Sequence, residues 1–329
     1  MRVAEGLVFS VRDLAHMRFA VSPMWEVGPS LRLLRSGVDH PVHRRWVEQV
    51  RPRLAAVGLG RLAELVPPSG YVPDFLNPTP VAPSADLAAE LDAILATPAE
   101  RVRRDLDRLR REQHGLGPRA EALYARPEAR LAGVAEEIRL YWELALAPYW
   151  ARIRAVLDAD VAHRARQVAE RGAAHLLGGL HASVLWDEDT LRLLRRPGAL
   201  SRPTAGQGLL LIPSVFTGPT PFTRVTPPDP PQLAYPARGI GHLWETAPGA
   251  GSEALAAVLG RTRTRLLVEL DTPASTTELA HRTGISPAAV SENLSALRDA
   301  GLATAHRAGR SVLYARTATA DALLTAATG

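Results

Sequence analysis

The sequence predicts a mainly α protein with small β elements: a long helical N-terminal domain carrying a small sheet, and a shorter C-terminal domain of different character. Three observations predict it. Helix caps and Pro-Gly stops recur along the first 245 residues, with a few short runs of strand character between them. The aromatic residues then stop: all six tryptophans, all five phenylalanines and every tyrosine except Tyr314 precede residue 246. Beyond that point come two short capped helices joined by a glycine turn, and two alternating runs joined at Ala308-Gly-Arg310.

The whole chain sets the frame. Its 329 residues are enough for two or more domains, and an apolar content of 46% supplies a core. Thr246–Ser252, rich in small residues with Pro and Gly, reads as a linker between a domain at 1–245 and one at 253–329. There are no cysteines, which excludes disulfides, thiolate metal sites and cysteine nucleophiles. Met1–Ser10 lacks the pattern of a signal peptide, and no apolar run approaches the roughly 18 residues of a membrane span. A cytoplasmic protein with no membrane partner is expected. The net charge is +5, and all 39 basic residues are arginine, as in a GC-rich genome. That excess is compatible with a polyanion partner but small for this length.

The N-terminal elements follow in order. Thr97-Pro-Ala-Glu100 has the form of a capping box with proline at the first helical position. It opens a helix with Val102, Leu106 and Leu109 inward, and RVRRDLDRLRRE reads as a solvated face laced with ion pairs. More helix runs from Ile138 to about Gly172, entered again at Pro148. Val184–Trp186 and Leu191–Leu194 form a hairpin around Asp187-Glu-Asp189; Gly208–Phe216 is a buried strand; a proline-rich loop leads to a short strand at Gln232–Tyr235.

Chemistry-bearing patterns are few. Asp39, His40 and His43 lack a third ligand and the i,i+4 spacing of helical metal pairs, so they read as a helix start and no metal is expected. His175 and His181 flank a glycine-rich turn and read as structural. No GxSxG elbow, Walker loop or GxGxxG after a strand is present, so no catalytic residue and no cofactor is expected. Tyr141-Trp142 and Tyr149-Trp150 lie about two helical turns apart. They read either as core or, with Trp25, as the lining of a pocket for an apolar or aromatic small molecule.

In the C-terminal part, Leu255–Leu270 has the spacing of an amphipathic helix, with Leu255, Val258, Leu259, Leu266, Leu267 and Leu270 apolar. Ser275-Thr-Thr-Glu278 is a capping box that opens a short helix ended by Gly284. Ser286 caps the next, with Pro287 at its first position, and Gly301 stops it. Val290, Leu294 and Leu297, at i, i+4 and i+7, are its core face. Two short helices on a tight glycine turn make a helix-turn-helix. Leu302–Arg307 and Ser311–Arg316 then alternate as a basic hairpin, a wing, and Leu323 and Leu324 belong to a closing helix.

These residues resemble a family. Glu278-Leu-Ala280, Gly284-Ile-Ser286, Val290-Ser291, Leu294, Leu297-Arg298, Ala300-Gly-Leu302 and Ala308-Gly-Arg310 with Tyr314 resemble, as a set over about 253–325, the ArsR-type winged helix of bacterial transcriptional regulators. RFAVSPMWEV (18–27) and Leu233–Gly239 resemble an uncharacterised domain fused to such winged helices. The resemblance implies a DNA-binding regulator. Founding members sense metals through cysteines, and a chain without cysteine does not inherit that role.

On a 100° wheel Ala288, Glu292 and Ser295 lie opposite the core face, with Ser291 and Arg298 at its border. Small side chains let such a helix sit deep in a major groove about 12 Å wide. Alanine methyls meet thymine methyls, serines bond donors or acceptors, and Glu292 accepts from cytosine N4. Thr277, Arg282 and the amides behind Ser286 would hold phosphates, with Arg307 and Arg310 in the wing. Residues 253–329 carry eight arginines against seven acids, so affinity must come from placement and from a homodimer on double-stranded DNA. The rival expectations are an enzyme or ligand-binding protein with an accessory winged helix, and an adaptor for protein partners.

Overall fold

The computed structural model describes residues 7–37, 40–55, 57–187, 189–194, 206–244, 252–308 and 311–327. The chain begins β1 (Leu7–Val8), α1 (Val11–Ala15), β2 (Arg18–Phe19), α2 (Met24–Arg35), a 3-10 turn (Pro41–His43), α3 (Arg44–Ala55) and α4 (Gly60–Leu65). It continues with a second 3-10 turn (Asp74–Leu76), α5 (Leu87–Leu95), α6 (Ala99–Gln113), α7 (Pro118–Ala125) and α8 (Pro127–Tyr141). A π turn (Trp142–Leu146) and a 3-10 turn (Ala147–Tyr149) lead into α9 (Trp150–Arg171) and α10 (Ala173–Gly178). Then come β3 (Val184–Asp187), β4 (Thr190–Leu193), β5 (Leu210–Ser214), β6 (Phe222–Arg224) and β7 (Gln232–Pro236). The C-terminal part holds α11 (Ser252–Leu259), α12 (Arg261–Glu269), α13 (Thr276–Thr283), α14 (Pro287–Asp299), β8 (Ala303–Ala308), β9 (Ser311–Arg316) and α15 (Ala318–Ala326). The protein is thus mainly α with small sheets, and no helix among the described residues is long and apolar enough to cross a membrane.

The chain packs into two compact units. The first takes Met1–Asp39, Leu59–Ile138 and Val156–Ile240; the second takes His40–Gly58, Arg139–Ala155 and Gly241–Gly329. The second unit therefore includes two stretches of chain that the aromatic boundary places in the first domain. Of the expected linker at 246–252, only Ser252 lies among the described residues, where it opens α11.

In the first unit, β1-β4-β3 form an antiparallel sheet, and β2-β5-β7-β6 a mixed one in which β5 runs parallel to both neighbours. All five residues of β5 are buried, as in a strand covered on both faces. Leu209 and Leu211 join a core with Leu176, Leu177, Leu233 and Tyr235, while Leu210 and Ile212 join Ala20, Trp25 and Ala234 on the other side. Two buried glutamates fasten α2, one to the end of β5 and the other to α5. Glu26 accepts hydrogen bonds from Ser214 Oγ and from the amides of Val215 and Phe216; Glu90 accepts from Ser22 Oγ and the Met24 amide. Burial pushes their pKa values up, to about 8 for Glu26 and about 7 for Glu90.

Several sequence expectations hold here, and others need correcting. The hairpin β3–β4, the buried β5 and the short β7 lie where the alternation places them. The two-residue strands β1 and β2, and β6, are too short for any period to register. Val102, Leu106 and Leu109 are buried. The capping box at Thr97 does not form: Pro98 is the N-cap, and Thr97 Oγ1 donates back to Ala93 O at 3.2 Å. A threonine hydroxyl that finds the carbonyl four residues earlier is lost to the next helix.

In the second unit, Leu255–Leu270 is two helices, not one. Gly260 at φ +87° breaks the run, and Val258, expected inside, is 80% exposed. The core joins Leu255, Leu266, Leu267 and Leu270 to Leu279, Val290, Leu294, Leu297, Leu302 and Leu324. Beside it lies an aromatic group. Trp46 stacks on Trp244 at 6.4 Å, Tyr149 meets Trp244 edge-on at 5.5 Å, and the Trp244 indole nitrogen lies 3.0 Å from Nδ1 of buried His43. His43 is thus part of this packing.

Candidate nucleic-acid interface

The site is built on α13 and α14. Ser275 Oγ accepts from the Glu278 amide at 3.2 Å, and Glu278 Oε2 accepts from the Ser275 amide at 2.6 Å, which closes the capping box. Gly284, at φ +69°, ends α13 in the left-handed conformation that a side chain resists. Ser286 Oγ then accepts from the Ala289 amide, and Pro287 takes the first position of α14. Val290, Leu294 and Leu297 turn inward, each at most 1% exposed. At the far end Gly301, at φ +69°, lets the Leu302 amide donate to Leu297 O at 2.8 Å and its own amide to Arg298 O at 2.9 Å. These two bonds are the 6→1 and 5→2 pair of a Schellman stop.

The outer face of α14 is set by this anchoring. Ala288, Ser291, Glu292 and Arg298 are exposed and Ser295 is half-buried. Asn293 Nδ2 donates to Ala289 O at 2.8 Å and is thereby turned back onto its own helix. Arg298 faces Asp299 at 3.9 Å, an exposed pair of little strength. A helix face with one acid, one arginine and otherwise methyls and hydroxyls presents little bulk to a groove.

The wing follows directly. β8 and β9 pair antiparallel from Ala303↔Arg316 to Ala308↔Ser311. Ala274 and Tyr314 exchange both backbone hydrogen bonds, at 3.0 and 2.8 Å, which fastens the hairpin to the turn before α13. Arg307 is exposed on β8. Arg310 lies outside the described residues. Thr277 is exposed on α13. Arg282 is exposed too, but its guanidinium is engaged with its own unit, donating to Thr272 Oγ1 at 3.2 Å and Glu269 O at 3.5 Å. The hydroxyl of Ser286 is taken by the cap, so its contribution is the helix start and not a free side chain.

One feature of the site escapes the sequence. The turn between α12 and α13 is held by Asp271, whose side chain is 9% exposed. It meets Arg45 of α3, Arg152 of α9 at 3.4 Å and buried Arg316 of β9 at 3.3 Å, while Arg316 also reaches Asp321 at 2.9 Å. Arg53 of α3 donates to Pro273 O at 3.1 Å. The reader's own turn is therefore gripped by arginines that lie more than a hundred residues earlier in the chain. The signal in the sequence is slight: isolated arginines on the outer positions of two helices.

The five aromatic residues expected to line a pocket are divided between the two units. Trp25 is buried in the first unit, its indole nitrogen donating to Gln232 Oε1 at 2.9 Å, and it lines a cavity there of about 330 Å3. Tyr141, Trp142, Tyr149 and Trp150 belong to the second unit. Trp142 and Trp150 meet edge-to-face at 4.8 Å, Tyr149 joins the Trp244 group, and Tyr141 is fully buried.

Fold and site together define a winged helix-turn-helix with a small-residue groove helix. Residues 262–305, from within α12 to the first strand of the wing, match the family described as bacterial regulatory protein, arsR family. This part of the chain is an arsR-type regulator domain, which implies DNA binding and transcription regulation; the N-terminal part matches no family. No curated protein and no solved structure matches the chain.

Proposed function

We infer that the protein is a sequence-specific transcription regulator, not an enzyme, that binds double-stranded DNA as a homodimer and responds to a small molecule held by its N-terminal part. The observation that carries the reading is the outer face of α14: Ala288, Ser291 and Glu292 are exposed beside half-buried Ser295, on a helix stopped and capped at both ends. In this reading those residues face base edges, and Arg298, Arg307, Arg310, Thr277 and the amides at the starts of α13 and α14 hold phosphates. The near-neutral charge of residues 253–329 supports a dimer, since one reader gains little from counterion release. Two readers related by a two-fold axis bind half-sites about 34–36 Å apart. The effector part is supported by the inclusion of residues 40–58 and 139–155 in the second unit, which builds N-terminal chain into the reader's own packing. The test is selection of bound sites from random duplex DNA by the full-length chain. The expected result is a paired, two-fold motif whose binding weakens steeply with salt. Recovery of no motif, or a single half-site bound by a monomer in light scattering, overturns the corresponding part of the reading.

A further inference from the structure

The cavity of about 330 Å3 lies wholly within the first unit, against one face of α2. Gly28 sits in the interior of that helix, where glycine costs about 1 kcal/mol relative to alanine. It is buried, yet a Cβ built on it meets nothing within 4 Å. Pro29 follows it, and a residue before proline takes the helical conformation more easily without a Cβ, so the helix itself favours glycine here. The same choice leaves open space in front of α2 that an occupant can fill.

The walls say what that occupant is. Trp25 of α2 and Phe222 of β6 offer ring faces or edges, and Tyr71 offers a third. Two guanidiniums are laid against rings: Arg32 over Phe222 at 5.8 Å, and Arg108 of α6 over Tyr71 at 3.9 Å. Arg224, only 2% exposed, donates to Thr79 Oγ1 at 2.9 Å and to Asp229, a carboxylate it shares with Arg101. Its Nε is buried with no hydrogen-bond partner among the described residues. Two acids also line the cavity, and both are engaged. Glu112 accepts from Arg108 Nε at 3.1 Å and from the Tyr71 amide at 2.9 Å, and Asp74 accepts from Thr226 Oγ1. Of the lining guanidiniums, Arg108 is paired with Glu112 and Arg224 with Asp229, while Arg32 donates to two backbone carbonyls, Pro67 O at 2.8 Å and Gly70 O at 2.5 Å, and so keeps its charge without a carboxylate among these bonds.

We propose that this cavity binds a small planar aromatic carboxylate. The ring lies against the aromatic walls in front of Gly28, and the carboxylate meets the arginine side. Guanidiniums suit this task because their planar fork matches a carboxylate, and aromatic faces suit a flat ring. The volume is that of a small-molecule site, about 300 Å3 being the lower end of the usual range. The charge run on α6, which read as a solvated face, thus contributes Arg108 and Glu112 to a cavity wall. The proposal deepens the effector reading and rests on it only for the link to DNA.

The test uses the full-length protein without DNA. Naphthalene-2-carboxylate and its uncharged twin naphthalene-2-carboxamide are titrated by isothermal calorimetry. The acid binds with a submillimolar Kd and the amide at least tenfold more weakly. Gly28→Leu fills the space from the helix side and abolishes binding of both. Arg32→Gln keeps ring binding and cuts the preference for the acid at least threefold. Failure of the acid to bind, equal binding of acid and amide, or unchanged binding in a folded Gly28→Leu variant overturns the proposal. Should Gly28→Leu not fold, a full tenfold preference retained in Arg32→Gln overturns it alone. Control of DNA is read separately, as the shift in affinity for a selected site when the acid is added. A bound acid that shifts nothing overturns the effector reading and leaves the site standing.

Discussion

Replacing Asp271 by alanine tests whether the winged helix depends on chain from the N-terminal part. Asp271 is 9% exposed and faces Arg316, which is 6% exposed, at 3.3 Å. Without that carboxylate Arg316 keeps Asp321, which it shares with Arg152 at 3.6 Å, and the carbonyl of Leu267 at 3.4 Å. Breaking a buried pair by removing one partner costs about 3–5 kcal/mol, because the other charge stays buried. Asp321 remains, so the lower end, about 3 kcal/mol, is expected. Arg45 is the contrast. Its side chain is 44% exposed, so its pairing with Asp271 is worth less than about 1 kcal/mol; it also donates to Trp244 O at 3.2 Å, and Arg45→Ala should still cost clearly less than Asp271→Ala. The double variant Asp271→Leu, Arg316→Met should recover most of the loss, since apolar replacement of a buried pair is often neutral. The assay is urea unfolding of the full-length chain, followed by circular dichroism and tryptophan fluorescence, with the midpoint shift converted through the slope. A cost for Asp271→Ala below about 1 kcal/mol, or equal costs for Asp271→Ala and Arg45→Ala, would show that Arg316 does not depend on this carboxylate.

Three further outcomes are expected. Gly284→Ala forces a side chain into the left-handed region at φ +69° and should cost about 1–2 kcal/mol, measured by the same unfolding assay; a neutral result would mean the turn between α13 and α14 relaxes freely. Glu26 and Glu90 have folded pKa values of about 8 and about 7, above the 4.5 of an exposed glutamate, so the folded state binds more protons between those values and the unfolded state. Their contribution is full below about pH 4.5 and is lost as pH rises towards 7–8, so the first unit should be more stable at pH 6 than at pH 8, and Glu26→Gln should flatten that slope; a rise in stability over this window would contradict it. Glu292→Gln should change the preferred base at one position of the selected site by about 1–3 kcal/mol, while Arg307→Ala weakens all sequences alike and lowers the salt slope by about 1; the reverse pattern would exchange their roles.

What the sequence determined by itself is the reader. Capping boxes, the glycine stops at Gly284 and Gly301 and the Val290, Leu294, Leu297 spacing are local rules, each satisfied within four or five residues, so they are legible without knowing what packs on them. The outer face of α14 follows from the same period. Local rules can compete: Gly260 breaks a run that periodicity makes continuous, and Thr97 bonds backward instead of forward. Tertiary structure alone decided the rest. Asp271 gains its role from Arg45 and Arg152, and the open space in front of Gly28 becomes a cavity only through Tyr71, Arg108 and Phe222. No period or spacing links residues so far apart in the chain. A charge or a void is defined by what surrounds it in space, and that is settled only when distant elements share one core.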